Sequence, residues 1–349
     1  MSAAHTVAPT GHRPGPAGAG GAPLHHNRTA WRWARRAVLV AFLAMVAALL
    51  VRQALTIEWG QVLHAVGQLP PSFVLAAVAI TALSHTIYST YDLFGRHLTG
   101  HRLGTGTVMG VTAISYAFNL NLGSMVGGIG FRYRLYTRLG LATDQIARIV
   151  GMSLLTNWSG YLLVAGLVFS FWPPQLPPDW KLDSEGLRLA GAAALALAAA
   201  YVALCAWRHG REWMVRGHRI ELPGLRMALL QVLVAGFNWC VLGMVMWLLL
   251  QGRVDYAHVL SVLLCSVVAG LIVRVPGGLG VLETVFVALL GYRVPLSDLL
   301  AALLAYRAVY YLLPLLLATL AYGVAEWLAR RRLARPNSPN QGERPSSKR

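Results

Sequence analysis

The stretch Arg274-Val-Pro-Gly-Gly-Leu-Gly-Val-Leu-Glu283 interrupts an apolar run that extends from about Tyr256 to Gly291. As one unbroken helix, this run would measure about 54 Å, whereas the hydrocarbon core of a bilayer is about 30 Å thick. Because proline removes a backbone donor and glycines permit a tight reversal, we predict that the run breaks at its Pro-Gly-Gly-Leu-Gly centre. Non-helical backbone is tolerated at membrane depth only inside protein or beside a water-filled cavity. The flanking charges, Arg274 and Glu283, are therefore candidates for a function.

The composition is that of an integral membrane protein. Of the 349 residues, 56% are hydrophobic and only 12% are charged, and long apolar runs include residues 190–206 and 229–250. The net charge of +17 does not indicate nucleic acid as a partner. The arginines instead cluster in short segments between apolar runs and in the tails, as in cytoplasmic loops. All three cysteines fall within apolar segments, so we expect neither a disulfide framework nor a thiolate metal site.

A second Gly-rich break lies 150 positions earlier, where Gly127-Gly128-Ile129-Gly130 aligns with Gly277-Gly278-Leu279-Gly280. The apolar run before it, at about residues 105–126, is followed by four basic residues: Arg132, Arg134, Arg138 and Arg148. If that run crossed the membrane, this basic segment would lie outside, against the positive-inside rule. We therefore predict a re-entrant hairpin that turns at Gly127–Gly130 and returns to the side from which it entered.

Charge bias in the other loops predicts six full spans, at about residues 37–51, 72–94, 149–172, 187–207, 225–250 and 299–322. Each half, about 38–172 and 187–322, then holds three spans and one hairpin, and because three is odd the second half is inverted. We predict an all-α polytopic membrane protein built as an inverted repeat, with both termini cytoplasmic. Inverted repeats with broken helices near the midplane are typical of transporters. The alternative is eight full spans with parallel repeats, which places the basic segment outside.

The predicted organisation has five parts. Residues 1–28, rich in Gly, Ala and Pro, form a disordered tail, and residues 326–349 form a basic cytoplasmic tail. The first membrane repeat covers residues 29–172 and the second covers 187–325, with an external loop at 173–186 between them.

Three arginines beside the breaks are candidates to bind a headgroup phosphate. Helix N-termini at a break attract anions, and phosphate is the obvious anion of a membrane. Arg132 and Arg134 follow the first break, and Arg274 precedes the second. The alternative is that Arg132 and Arg134 only set the topology, while Arg274 reaches to the interface.

Two further charges lie within apolar segments. Glu283 could pair with Arg274 or with an arginine of the first hairpin, or carry a coupling proton. Arg307 is deep in the last span, so it must face a cavity or pair with a partner such as Glu283.

Other residues in the spans have less specific roles. We expect Asn119, Asn121, Asn157, Asn238, His85 and Asp92 to join helices by hydrogen bonds, and Tyr306, Tyr310 and Tyr311 to be interfacial or packing aromatics.

Motifs of catalysis are absent from the sequence. It has no His-Glu-x-x-His, Gly-x-Ser-x-Gly or Walker loop and no paired carboxylates. We therefore expect no enzymatic activity, no cofactor and no metal.

Three stretches, residues 127–136, 274–284 and 305–314, together resemble one family. It comprises the flippase-like transmembrane region of bacterial lysylphosphatidylglycerol synthases and stand-alone YbhN-like inner-membrane proteins, and the resemblance covers about residues 37–325. In two-part members this region is associated with moving aminoacylated phospholipid between leaflets, and a separate soluble domain makes that lipid. We expect this chain, which ends at Arg349, to lack the synthase domain. The resemblance implies functional roles for Gly127, Gly128, Gly130, Arg132, Arg134, Gly277, Gly278, Gly280, Glu283 and Arg307.

The leading hypothesis is a phospholipid translocase of the bacterial inner membrane, with the headgroup crossing a polar crevice between the hairpins. The expected partners are membrane phospholipids and a lipid-synthesising enzyme. A small-anion transporter and a non-transporting, lipid-binding scaffold are the alternatives. An intramembrane lipid-modifying enzyme comes last, because the sequence offers no nucleophile or metal set for it.

Overall fold

The computed structural model describes residues 59–174, 176, 184–207, 212–215, 218–221, 223–273 and 278–333. These residues form twelve α-helices, two π-helical segments and one β-hairpin. The helices are α1 (Trp59–Gly67), α2 (Pro71–Ser89), α3 (Tyr91–Thr99), α4 (Thr105–Leu122), α5 (Phe131–Arg138), α6 (Thr143–Phe171), α7 (Ser184–Trp207), α8 (Leu225–Leu249), α9 (Tyr256–Val273), α10 (Val281–Leu290), α11 (Leu296–Tyr306) and α12 (Leu313–Leu333). Segment π1 (Ser124–Gly130) leads into α5, and π2 (Arg307–Leu312) joins α11 to α12. Strand β1 (Glu212–Val215) pairs antiparallel with β2 (His218–Glu221).

Within the described residues, six helical stretches are long and apolar enough to cross a membrane, which confirms an all-α polytopic membrane protein. They are Pro71–Thr99, Thr143–Phe171, Ser184–Trp207, Leu225–Leu249, Tyr256–Val273 and Leu296–Val324. Five correspond to predicted full spans, and the predicted span at about 37–51 lies outside the described residues. The sixth, α9, is the first arm of the predicted second hairpin. Its 18 residues measure about 27 Å, nearly the thickness of the hydrocarbon core.

Helix α8 is the centre of the assembly. In the apolar 18-residue stretch of α8, 61% of the residues are buried. The corresponding share for α7 is 17%, so α7 lies at the periphery. The main core combines apolar side chains of α6, α8, α9, α10 and α11. A helix that is apolar all round is buried in protein or faces lipid, and these two helices illustrate the two outcomes.

The first broken segment is a helical hairpin, but it turns at Gly123, so the predicted turn at Gly127–Gly130 is wrong. Gly123 has φ of +81°, a conformation that favours glycine. Segment π1 and α5 then run back along α4, and the rings of Phe118 and Phe131 stack with centroids 3.9 Å apart. Gly127 lies in the returning arm, where an added Cβ would stand 2.2 Å from the Phe118 carbonyl group. The glycine motif therefore lets the two arms pack closely, rather than forming the turn.

Both ends of this first hairpin lie beside α3. At the start of α4, the Thr105 hydroxyl accepts a hydrogen bond of 2.9 Å from Arg96. Near the end of α5, the Tyr136 hydroxyl donates to Asp92 at 3.0 Å. Arg96 and Asp92 are one helical turn apart on α3, so the hairpin returns to the end from which it started. We call this the basic end of the bundle, defined by Arg96, Arg138 and the start of α6.

The second broken segment, α9 and α10, also returns to the end from which it starts. Arg253, just before α9, forms an ion pair with Asp298 in the first turn of α11. The turn itself includes residues 274–277, which lie outside the described residues. After it, Gly278 and Gly280 have φ values of +58° and +79°. As predicted, glycines provide the backbone conformation that this break requires.

The two hairpins enter from opposite ends of the bundle. Helices α6 and α8 run side by side in the same direction, because Gln231 contacts Met152 near their starts and Trp239 contacts Tyr161 farther along. The end of α8, where the second hairpin begins, therefore lies away from the basic end. This is the inverted arrangement that the odd number of spans predicts.

An ion pair between Arg138 and Glu326 decides against eight full spans. Arg138 ends α5, and Glu326 lies in the C-terminal part of α12. Eight spans would place the basic segment and the end of the last helix on opposite sides of the membrane. Their direct contact places both at the basic end, as the re-entrant topology requires.

The sequence did not predict two small elements. Residues 52–71 were expected to be a loop, yet α1 forms there and packs against α11. The β-hairpin lies in the loop between α7 and α8, where the sequence indicated only a basic loop.

Candidate functional site

The first charged cluster centres on Arg132, which α5 carries into the protein interior. Arg132 is 4% exposed and Asp92 of α3 is fully buried. The Arg132 Nε donates to the two Asp92 oxygens at 3.2 and 2.9 Å, and the Tyr136 hydroxyl donates to the same carboxylate. Its Nη1 donates to the Gly128 carbonyl and its Nη2 to the Ser153 hydroxyl, both at 3.2 Å. A buried ion pair persists only if such additional hydrogen bonds complete it.

The second charged cluster centres on Arg307, the first residue of π2. Its Nε donates to Glu283 Oε1 at 2.8 Å, and its Nη2 donates to Oε2 at 3.1 Å and to the Gly278 carbonyl at 2.8 Å. The guanidinium lies over the Tyr311 ring, 4.8 Å from its centroid. In contrast to the first cluster, the Arg307 and Glu283 side chains are 11% and 25% exposed. The Glu283 carboxylate is thus partly exposed, whereas the Arg307 guanidinium is nearly buried.

The depth of the second cluster follows from its position on the last helix. Arg307 is eleven residues beyond Leu296, where α11 begins. Eleven residues of helix measure about 17 Å, and half of a 30 Å hydrocarbon core is about 15 Å. Arg307 thus lies near mid-depth, where a charged side chain is rare unless it is paired or lines a cavity.

The same type of hydrogen bond occurs in both clusters. In each, an arginine donates to the carbonyl of the second glycine of the Gly-Gly-x-Gly motif, Gly128 or Gly278. The clusters differ in which charged residue follows the glycine motif. Arg132 follows its motif and its carboxylate comes from another helix, whereas Glu283 follows its motif and its arginine comes from another helix. The backbones also differ, since Gly278 has a positive φ and Gly128 lies within π1.

A chain of buried hydroxyl groups joins the two halves of the protein. The Ser84 hydroxyl donates to the Asn238 side-chain oxygen at 2.9 Å and lies 2.8 Å from the Tyr310 hydroxyl. The Tyr310 hydroxyl in turn lies 3.0 Å from the Tyr116 hydroxyl. These four residues come from α2, α8, π2 and α4. Tyr310, expected as a packing aromatic, therefore also carries hydrogen bonds between helices.

The tip of the first hairpin reaches the second cluster through π2. Asn121, two residues before the turn, donates to the Tyr311 carbonyl at 3.2 Å. Tyr311 is the residue whose ring Arg307 covers. Both hairpins therefore contact π2, the first through Asn121 and the second through Gly278.

The structure places the remaining predicted site residues apart. Arg134 is exposed and lies 5.6 Å from the ring centroid of Tyr322 in α12, so it does not share a cavity with Arg132. Residues two apart on a helix point in different directions, which explains the separation. Gly130 ends π1 in ordinary helical conformation, with φ of −59°. Arg274 and Gly277 lie outside the described residues.

Sequence reasoning missed the role of Asp92. It grouped this residue with polar side chains that join helices, whereas the structure shows it as the carboxylate of a buried ion pair. The signal was present, because a carboxylate within an apolar span requires a cationic partner. The partner could not be identified, since four arginines follow the first break.

Two titratable groups outside the spans report the electrostatics of the basic end. The hydrogen bond to Glu326 raises the pKa of Arg138. Burial and the nearby Arg96 lower the pKa of His101, so this imidazole is more readily neutral than an exposed histidine. The ion pair thus favours the charged form of Arg138, whereas burial favours the neutral form of His101.

Within the part of the chain that the structure describes, no three His, Cys, Asp or Glu side chains are grouped to hold a metal ion. The chemistry that the clusters offer is instead recognition of an anion by a guanidinium and of a cation by a carboxylate.

Comparison with known proteins places the chain in a family. Residues 36–318 match the family described as the lysylphosphatidylglycerol synthase TM region. The chain is 43% identical to the inner membrane protein YbhN of Escherichia coli over 302 residues, which cover 86% of this chain and 95% of that protein. It is 29% identical to the Synechocystis sp. protein slr0712 over 288 residues, 82% of this chain and 89% of the relative. This multi-pass inner-membrane protein therefore belongs to the lysylphosphatidylglycerol synthase transmembrane-region family.

Proposed function

We propose that this protein is a phospholipid translocase, in which the headgroup passes between the two hairpins while the acyl chains stay in the bilayer. The observation that carries the proposal is the Arg307–Glu283 ion pair. It lies near mid-depth, it is partly exposed, and it connects to the tips of both hairpins. A polar site at this position can interact with a headgroup halfway between the leaflets.

Arg307 is suited to bind the phosphate of a headgroup. A guanidinium offers a planar set of donors that matches a phosphate in a bidentate manner. In this structure Glu283 occupies two of these donors, at 2.8 and 3.1 Å. Binding of a phosphate would therefore exchange one anionic partner of Arg307 for another. The released Glu283 carboxylate then requires a partner of its own, either a proton or a cationic group of the headgroup.

The orientation follows from charge bias. The basic end carries Arg96 and Arg138, and the arginines at the end of α12 follow Glu326. Because such clusters favour the cytoplasm, we propose that the basic end and both termini are cytoplasmic. The first hairpin then enters from the cytoplasm and the second from the periplasm.

The test is lipid movement by the purified protein in liposomes that contain a fluorescent phospholipid. An impermeant reductant quenches only the outer leaflet, so protein-dependent quenching beyond half of the label reports translocation. We expect Arg307→Ala to slow this quenching about tenfold or more, since hydrogen bonds to charged groups contribute about 1.5–3 kcal/mol each. Arg307→Lys, which keeps the charge without the planar fork, should be intermediate. The matched control is Arg293→Ala, which removes an exposed arginine of the α10–α11 loop.

Each outcome has a distinct meaning. Full activity of Arg307→Ala in a monodisperse sample would exclude Arg307 from the path. If the wild type moves no lipid with or without an imposed proton gradient, translocation is refuted.

The two other hypotheses keep specific support. Uptake of a water-soluble phosphate ester without lipid movement would indicate a small-anion transporter, which the partly exposed Arg307–Glu283 pair also suits. A lipid-binding scaffold is favoured by Arg132, whose three guanidinium nitrogens all bond to protein. For that function we propose a lipid-synthesising enzyme as partner, as the name of the family suggests, and stable co-purification would be its evidence.

A further inference from the structure

A groove of about 380 Å³ lies on the outside of the helical bundle, between α2, α4 and α12. Its lining is almost entirely aliphatic, with small residues on α4 and Leu and Ala side chains on α12. Its volume is within the range of ligand pockets, about 300–1,000 Å³. The rim residues Ala82, Gly110 and Leu317 are exposed, so the groove opens sideways from the bundle. In a bilayer, this opening faces hydrocarbon.

The groove is elongated along the helices. It extends from Gly110 to Ala117 on α4 and from Leu313 to Ala321 on α12. These distances correspond to about 10 and 12 Å of helix. A narrow apolar channel that runs along spanning helices has the shape and polarity of a lipid acyl chain.

Two polar groups in its wall distinguish the groove from an ordinary lipid-facing surface. Thr81 lines the groove and is 3% exposed, and its buried hydroxyl has no hydrogen-bond partner among the described residues. A buried hydroxyl without a partner is costly unless a ligand completes it. The other group is His85, whose Nε2 lies 3.3 Å from the Tyr310 carbonyl oxygen.

The groove adjoins the candidate headgroup site. Leu313 and Pro314 in its wall follow directly after π2, which begins with Arg307. Arg307 and Leu313 are six positions apart, which is less than about 9 Å along the helix axis. A single phospholipid could therefore present its phosphate to Arg307, an ester carbonyl to Thr81 and one chain to the groove.

We infer that this groove, between α2, α4 and α12, binds one acyl chain of a membrane phospholipid. The inference deepens the proposed function and rests on it for the identity of the ligand. It assigns the lipid a defined binding surface for its hydrocarbon, not only for its headgroup. The bound acyl chain then guides the phospholipid while its headgroup crosses the membrane.

Glycines of α4 provide a matched test. An added Cβ at Gly110 meets nothing within 4 Å, so a larger side chain can enter the groove without clashing with the protein. Gly106 lies one turn earlier on the same helix, also has nothing within 4 Å of an added Cβ, and does not line the groove. Both substitutions by leucine improve helix propensity, so neither should unfold α4.

The experiment uses the protein in liposomes with a phospholipid that carries a photoactivatable diazirine in one acyl chain. After irradiation, mass spectrometry locates the labelled peptides. We expect labelling to concentrate on residues 110–117 and 313–321, to fall at least fivefold in Gly110→Leu and to remain unchanged in Gly106→Leu. Thr81→Val should weaken competition by unlabelled phospholipid about two- to tenfold, the range for one net hydrogen bond.

The inference is overturned if labelling spreads evenly over the exposed faces of all helices, or if Gly110→Leu is labelled like the wild type. These results are independent of transport. Concentrated labelling without lipid movement would refute the proposed translocation and keep the groove. Lipid movement without concentrated labelling would support the proposed translocation and refute the acyl-chain groove.

Discussion

The buried pair of Arg132 and Asp92 provides a stringent prediction of stability. In Asp92→Ala, the Arg132 guanidinium loses its carboxylate and keeps neutral partners such as the Gly128 carbonyl and the Ser153 hydroxyl. At 4% exposure, water cannot replace the lost partner. Removing one partner of a buried ion pair costs about 3–5 kcal/mol, because the other charge stays buried and unpaired. We therefore expect this loss in the free energy of unfolding.

A double-mutant cycle separates the ion pair from packing. Arg132→Met removes the charge and keeps an unbranched apolar side chain, and buried ion pairs are often replaced by apolar residues without net loss. We expect Asp92→Ala/Arg132→Met to be more stable than the sum of the single losses predicts, by about 2 kcal/mol within the usual 0.5–3 kcal/mol of coupled neighbours. The exposed pair of Arg138 and Glu326 is the control, for which Arg138→Ala should leave the free energy of unfolding nearly unchanged.

The measurement is unfolding in mixed micelles by a denaturing detergent, followed by tryptophan fluorescence. If Asp92→Ala costs less than about 1 kcal/mol, the Arg132–Asp92 pair contributes no more than a surface ion pair does, which contradicts the effect expected from its burial. If the double mutant shows no coupling, the two side chains do not stabilise each other, and the contact does not hold the first hairpin.

Further predictions concern the hairpins and their orientation. Gly127→Ala should destabilise the protein by about 1–3 kcal/mol or more, because its Cβ would meet the Phe118 backbone at 2.2 Å. Gly110→Ala has open space around its Cβ, so it should be neutral or should stabilise the protein by up to about 1 kcal/mol. Equal stability of the two variants in the same detergent titration would contradict the close approach of the hairpin arms. In a variant without the native cysteines, Arg138→Cys and Tyr292→Cys should react with an impermeant thiol reagent from opposite sides of the membrane. Labelling of both from one side would refute the opposed entry of the hairpins.

The membrane character and the opposed entry of the two hairpins followed from the sequence. Apolar runs longer than a bilayer is thick must break, and the arginines of the loops indicate which side each loop faces. These are local properties, and the contact between Arg138 and Glu326 agrees with the topology that they predict. The predicted full spans that fall within the described residues also correspond to helices.

The turn and the partners of the charges required the structure. The sequence placed the first turn at the glycine motif, because glycine is equally suited to a turn and to close packing. Only the position of Phe118 shows that Gly127 serves packing, while Gly123 makes the turn. Likewise, Arg132 and Arg134 look alike in the sequence, yet one is buried against Asp92 and the other lies exposed on Tyr322.

The sequence by itself determined that this protein is a polytopic membrane protein with two broken helices and charges near each break, because hydrophobic length and charge bias are readable along the chain. The tertiary structure alone decided which carboxylate each arginine meets and which ion pair stays accessible. The physical reason is distance along the chain. Asp92 lies 40 positions before Arg132, and Glu283 lies 24 positions before Arg307. Contacts at such separations depend on how whole helices pack, which no local pattern specifies.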